Sequence, residues 1–366
     1  MTSIFDSLQQ SLAFLNLDLF VILPLIGLLG GTVIFLVMAV NALVAVYFER
    51  KVSAFMQDRL GPMEVGILGF KGGKKFWGGI GQTLADAIKL LTKEDILPKD
   101  SDKFLMILAP FIIFSGAFLT FIGLPFAQNI VISDFNIGLF YIVAMSSVGV
   151  IGIILAGWSS SNKWSLYGAM RAAAQIISYE IPIGLSLLLV VIVSGSLHLG
   201  DIVQWQETNR WFIFHSPFAF LAFFIYFIST VAETNRTPFD IPEAESELVA
   251  GWMTEYSGFR WALFFLSEYA NMLIVCIVAS IVFLGGWLSP LHIINIFPES
   301  WYILDGPALG FFWVSLKAVI LIFVMMWFRW TFPRLRVDQL MYVCWKVFIP
   351  FALANLFFVS LWELIF

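Results

Sequence analysis

The stretch from Glu233 to Tyr256 gathers six carboxylates, Glu233, Asp240, Glu243, Glu245, Glu247 and Glu255, against a single base, Arg236. Long apolar runs flank it on both sides, so these charges stand at or just inside one face of a membrane. Crowded, partly desolvated carboxylates repel one another and lose water, and both effects raise pKa values towards neutrality. The chemistry open to such a set is the uptake, holding and release of protons. Pro238 and Pro242 interrupt any helix continuing from the preceding run. Asp240 with Glu243 has capping-box spacing for a new helix starting near Ile241, on which Glu243 and Glu247 share a face while Glu245 points elsewhere. A solvated acidic loop is the plain alternative. The interleaved Phe239, Leu248, Trp252 and Tyr256 favour packing over it.

Further ionisable groups lie within the apolar runs themselves. Glu180 sits near the middle of the run from Lys163 to Ser194, with Arg171, Gln175 and Tyr179 before it and Pro182 after it. Pro182 deprives the Ser178 carbonyl of its helical donor, which predicts a polar kink beside an ionisable group. A carboxylate inside a membrane is costly unless neutral, paired or hydrated, and so marks a functional position. Glu268 and Lys317 extend the argument, with a structural Glu–Lys pair as the plain reading. A second polar set, Arg50, Arg59 and Asp86, lies in the first long connecting segment, and Arg334, Arg336 and Asp338 lie in the last. Each set either anchors at lipid headgroups or faces one inner mouth where a lipid-like molecule enters sideways.

The elements that position these residues follow from composition. The chain has 366 residues, 60% hydrophobic and 12% charged, with a mean hydropathy of +0.91, which marks an integral membrane protein without room for a separate water-soluble domain. Hydropathy predicts an all-α protein of about eight transmembrane helices, at 19–47, 104–124, 137–157, 165–194, 216–235, 259–288, 308–329 and 346–365. No repeat or inverted half is evident. All Lys and Arg except Arg210 and Lys317 fall in four alternate connecting segments and their edges, which predicts those segments inside and the N-terminus outside. No basic residue precedes Arg50, so no cleavable signal peptide is expected. Residues 1–366 read as a single membrane domain carrying a basic inner loop at 48–103 and an acidic inner loop at 233–258. Within the basic loop, Leu84, Ala87, Ile88 and Leu91 recur at helical spacing between Gln82 and Lys93. That pattern predicts an amphipathic helix too short to span, either anchored to anionic lipid through Lys74, Lys75, Lys89 and Lys93 or roofing a cavity. Cys276 and Cys344 lie far apart in apolar runs, giving no iron–sulfur or zinc pattern, and read as core thiols. His198, His215 and His292 fall in connecting segments and read as loop or interface residues.

Several segments together carry a specific resemblance. These are Glu49-Arg-Lys, Gln57-Asp-Arg-Leu-Gly-Pro, Leu84-Ala-Asp-Ala-Ile-Lys-Leu, Ser178-Tyr-Glu-Ile-Pro, the run from Glu233 to Leu248, Glu255-Tyr-Ser-Gly, Glu268-Tyr and Pro333-Arg-Leu-Arg-Val-Asp-Gln. Over nearly its whole length the chain resembles the H-type membrane subunits of proton-pumping NADH:quinone oxidoreductase, respiratory complex I. The resemblance implies a subunit without redox centres that forms most of a quinone chamber and couples quinone reduction to proton translocation in a bacterial cytoplasmic membrane. It implies Glu180, Glu233, Asp240, Glu243, Glu245, Glu247 and Glu268 as the proton relay, and Glu49, Arg50, Arg59, Asp86 and Arg334 around the quinone entrance. Quinone is then the substrate, and no metal, flavin or iron–sulfur cluster is expected on this chain. Implied partners are peripheral-arm subunits carrying the terminal iron–sulfur cluster and the quinone headgroup site, small membrane subunits, antiporter-like subunits and lipid, with no nucleic acid. The chain departs from the family pattern after Pro62, with Met63-Glu-Val-Gly-Ile, an added Lys/Gly run and Thr83, which bears on the shape of the entrance. The competing readings are the equivalent component of a membrane-bound hydrogenase or ferredoxin-driven complex, and an autonomous ion transporter.

Overall fold

The structure is a computed structural model that describes residues 19–66, 78–242, 248–290 and 307–365. Every regular element among them is helical: α1 (Leu19–Met56), α2 (Gly81–Thr92), α3 (Lys103–Thr120), α4 (Gly138–Ser159), α5 (Lys163–Ser194), α6 (Leu199–Thr208), α7 (Pro217–Glu233), α8 (Gly258–Phe283), α9 (Pro307–Thr331), α10 (Val337–Tyr342) and α11 (Ile349–Ile365). A π-helical segment, Val343–Phe348, joins the last two into one continuous rod. Seven of the described helical rods are long and apolar enough to cross a bilayer. The predicted fifth span, 216–235, is the shorter apolar helix α7 of 17 residues. At about 1.5 Å per residue α7 covers roughly 25 Å, less than the roughly 30 Å of a hydrocarbon core. Glu233 is its last residue.

Local chemistry sets the helix boundaries. Asp102 caps α3 by accepting from the amides of Phe104 and Leu105, Asn162 caps α5 through Trp164, and Ser216 caps α7 through Ala219 with Pro217 in the first turn. The bundle is organised around α8, which packs against α1, α2, α3, α7 and α9 and is the most buried of the long helices. Lipid solvates apolar side chains as well as protein does, so close backbone approach drives much of the packing. A Cβ on Gly152 would meet Ile113 Cγ1 at 2.4 Å, and one on Gly168 would meet the Gly251 backbone at 2.7 Å. These two glycines let α4 close on α3 and let the Gly251–Met253 turn close on α5.

The Ser178 carbonyl, which Pro182 leaves without a helical donor, finds one in another helix. Cys344 Sγ donates to the Ser178 carbonyl at 3.0 Å, and Trp345 Nε1 donates to Ser178 Oγ at 3.3 Å. In return the Tyr179 hydroxyl donates to the Leu340 carbonyl at 3.0 Å, at the approach to the π-helical segment. A π-segment shifts the backbone register of its helix. The helix carrying Pro182 and the helix carrying the π-segment thereby satisfy one another. Both cysteines are buried and free.

Lys317 does not pair with Glu268. Its ammonium donates to the carbonyls of Leu284, Gly286 and Leu288 at 2.7, 2.8 and 2.7 Å and lies 4.2 Å from the Trp211 ring centre. An ammonium with three donors suits the carbonyl-rich end of α8, where the helix dipole is negative. Glu268 is sixteen residues back along the same helix, about 24 Å at helical rise. His198 caps α6 and sits between Asp134 at 2.7 Å and Asp201 at 3.0 Å, while His215 meets Glu363 at 2.7 Å. His292 lies outside the described residues.

Candidate functional site

The polar residues collect where the C-terminal ends of α1 and α9 meet the N-terminal half of α8 and the connection after α7. Glu49, near the end of α1, is 5% exposed. Its carboxylate accepts from Arg236 Nη1 at 3.0 and 3.1 Å, and also from Arg329 of α9 and the Tyr269 hydroxyl of α8. Arg236 is itself buried, lies 4.5 Å from the Tyr269 ring centre and places Nη2 3.0 Å from Glu268 Oε1. One guanidinium thus bridges two carboxylates from different helices, which point charges on flexible ammonium stems do less well. Those two carboxylates push the Arg236 guanidinium well above its ordinary value, against the opposing effect of burial. Asp240 extends the cluster and pairs with Arg334 at 3.1 Å. Burial pushes its carboxyl up to about 6, with repulsion from Glu268 adding to it and the attraction of Arg334, Arg329 and Arg236 opposing it. Three carboxylates, Glu49, Asp240 and Glu268, therefore face three guanidiniums, Arg236, Arg329 and Arg334. The count balances only while Asp240 is ionised.

A second group leads into the membrane. Glu180 on α5 is half-buried within hydrogen-bonding reach of Ser147 on α4, and its charge acts on Glu233 at the end of α7. Carboxyls in electrostatic contact titrate as a pair rather than as two independent acids. The third group lies outward of the cluster. Arg50 donates to Asp86 on α2 at 2.6 Å, and Gln82 donates to the same carboxylate at 3.1 Å. The Arg50 hydrogen bond and charge hold Asp86 below its ordinary value in spite of desolvation. Helix α2 forms as the apolar spacing predicts, and Leu84, Ile88 and Leu91 are exposed on the side turned away from the chain. Its following loop is clamped by Arg260 of α8, whose Nε donates to both oxygens of Asp95 at 2.9 and 2.8 Å.

Residues distant in sequence are thus joined: Glu49 with Glu268, Asp240 with Arg334, Arg50 with Asp86, and Glu180 with Glu233. Glu49 belongs to the buried charge cluster and not to the exposed Arg50–Asp86 pair beside it in sequence. Arg59 is exposed and stands apart from both. Glu255 accepts from Asn162 Nδ2 at 2.6 Å. Glu243, Glu245 and Glu247, with the helix predicted to carry them, lie outside the described residues, as do Lys74 and Lys75. Sequence reasoning missed Arg329 and Tyr269, whose partners are 280 and 220 residues away. The adjacency of Tyr269 to Glu268 was their sole local sign. Among the described residues no group of three or more His, Cys, Asp or Glu side chains is arranged to hold a metal.

Comparison with known proteins places this arrangement. The family profile described as NADH dehydrogenase matches residues 30–360. The chain is 54% identical over 321 residues to the H subunit of NADH-quinone oxidoreductase from Chlorobaculum tepidum, covering 87% of this chain and 86% of that one. It is 49% identical over 328 residues to the protein of the same name from Bacteroides fragilis, covering 89% and 87%. The protein of that name from a Geobacillus species is 50% identical over 313 residues, covering 86% of each. A match running through nearly every helix that builds the charge cluster leads to one assignment: the chain belongs to the NADH dehydrogenase family, as an H-type membrane subunit of NADH-quinone oxidoreductase, respiratory complex I.

Proposed function

We propose that this protein walls a quinone chamber and converts the charge change of quinone reduction into proton movement through its buried acids. The observation that carries the reading is the bridge made by Arg236. It ties Glu49, next in sequence to the Arg50–Asp86 pair, to Glu268, and it lies three residues from Glu233, which answers to Glu180 inside the membrane. A set of three acids and three bases with Glu49, Arg236 and Asp240 buried at its centre responds strongly to one added or removed charge, because low-dielectric surroundings screen those three poorly. Reduction of quinone draws electrons from a partner and protons from its surroundings. Asp240, held near 6, gives up and regains a proton at working pH, and the Glu233–Glu180 pair passes the change inward. In this reading Arg50, Asp86 and the exposed apolar side of α2 line the lipid-facing entrance, exposed Arg59 acts at its outer margin, and Arg334 belongs to the charge cluster behind it. Quinone is the substrate, and the electrons come from a peripheral-arm subunit carrying the terminal cluster. Small membrane subunits and antiporter-like subunits continue the proton path. The chain sits in the bacterial cytoplasmic membrane with its N-terminus outside.

The test is the native complex in proteoliposomes carrying Glu180→Gln or Glu233→Gln. Quinone reduction should slow and proton pumping should fall several-fold, while electron transfer from NADH to an artificial acceptor upstream of quinone stays at the wild-type rate. Full reduction together with full pumping in both variants would remove the acids from the mechanism.

A further inference from the structure

Gln175 lies on α5 five residues before Glu180 and is 2% exposed. Its Nε2 donates to the Ala232 carbonyl at 2.7 Å and to the Phe239 carbonyl at 2.8 Å, with Asn235 Oδ1 at 3.2 Å. Carbonyls only accept, so the NH2 end of the amide is the one that faces them. Ala232 immediately precedes Glu233, and Phe239 immediately precedes Asp240. One amide therefore grips the backbone beside each of two candidate proton carriers and ties both to the helix that bears a third. One turn along the same face of α5, the Tyr179 ring packs against the Phe239 ring with centroids 5.6 Å apart. Phe239 is held by its carbonyl from Gln175 and by its ring from Tyr179, and Tyr179 adjoins Glu180.

We propose that Gln175 is the positioning residue of the acid region, holding Glu233 and Asp240 in fixed register with Glu180 so that a proton change at one displaces the others. This rests on the relay reading above, and it adds a side chain that itself carries no proton. A buried amide with both protons committed to strong acceptors resists being pulled away, since the abandoned carbonyls would be left unsatisfied. Movement of the connection after α7 must then carry α5 with it.

The experiment uses the intact complex in proteoliposomes with Gln175→Met, which keeps the length and loses the donor, and Gln175→Glu, whose ionised form can only repel the two carbonyls. Electron transfer from NADH to an artificial acceptor should be unchanged, and protons pumped per NADH should fall at least twofold. The acid-side midpoint of quinone reduction should move to lower pH by roughly one unit, because a loosened connection rehydrates Asp240. A purely structural strap would lower assembly and leave both the ratio and the midpoint alone, and that result overturns the proposal. Should neither variant assemble, Gln175→Asn, which keeps the amide but withdraws it by about 1.5 Å, is read in the same assays. Failure of all three to assemble would assign the residue to folding alone and likewise reject the proposal. If Glu180→Gln and Glu233→Gln lose pumping while the Gln175 variants pump normally, this inference falls and the relay stands. If the acid variants pump fully, the relay itself is lost.

Discussion

Replacing Asp240 by Asn isolates the contribution of one buried carboxyl that titrates near working pH. Its ordinary value is 3.8, and burial raises it to about 6. At about 1.36 kcal/mol per unit, the ionised form carries a penalty of about 3 kcal/mol in the folded chain. The sign follows from linkage. The folded state binds this proton more tightly than the unfolded chain does, so the contribution to stability is fully present below about pH 4. It is lost as pH rises to about 6 and is constant above that. Between pH 5 and pH 7.5 the change is about 1.4 kcal/mol, and the ionised fraction climbs from about 10% to about 97%. Infrared difference spectra of the native complex, recorded between those two pH values, should contain a carboxylic-acid carbonyl band that disappears with a midpoint near 6. That band should be absent from Asp240→Asn. The acid limb of coupled quinone reduction should share its midpoint and flatten in the variant. A band that survives in Asp240→Asn, or a wild-type midpoint near 4, would refute the claim that burial outweighs Arg334 and Arg329 at this site.

Two further outcomes test the packing beneath the site. Arg236→Gln leaves buried Glu49 with Arg329 alone and part-buried Glu268 without its counter-charge, a loss of up to about 3–5 kcal/mol, and intact complex on native gels should drop sharply. Normal yield with normal pumping would show that the bridge is dispensable. Lys317→Met abandons the carbonyls of Leu284, Gly286 and Leu288, each costing about 1–3 kcal/mol if left dry. Thermal inactivation should come at lower temperature, with the initial proton-to-electron ratio unchanged. A changed ratio in the unheated enzyme would place Lys317 in the proton path instead.

The apolar lengths, the amphipathic spacing at α2, the alternation of Lys and Arg and the acidic run after α7 are local properties of the chain. They alone determined an all-helical membrane protein and the approximate place of each helix, because hydration energy acts on each segment whatever its neighbours. Helix α1 nevertheless runs on to Met56 and the last rod begins as early as Val337, both well beyond the spans that hydropathy gives. Pro182 even announced that Ser178 needs a donor. Which donor answers was not legible: Cys344 arrives from a helix 166 residues later. Glu49 and Arg50 are adjacent, and the family resemblance implies both among the five residues around the entrance, yet successive helical positions point in different directions. Tertiary packing turned Glu49 inward to Arg236, Arg329 and Tyr269 and left Arg50 outward to Asp86. The same holds for Glu268, whose partner is a guanidinium from the connection after α7 and not Lys317, the other charge within an apolar run. Charge pairing depends on distance in space and on the depth at which water is lost, and both are set only when α8 brings α1, α7 and α9 around it.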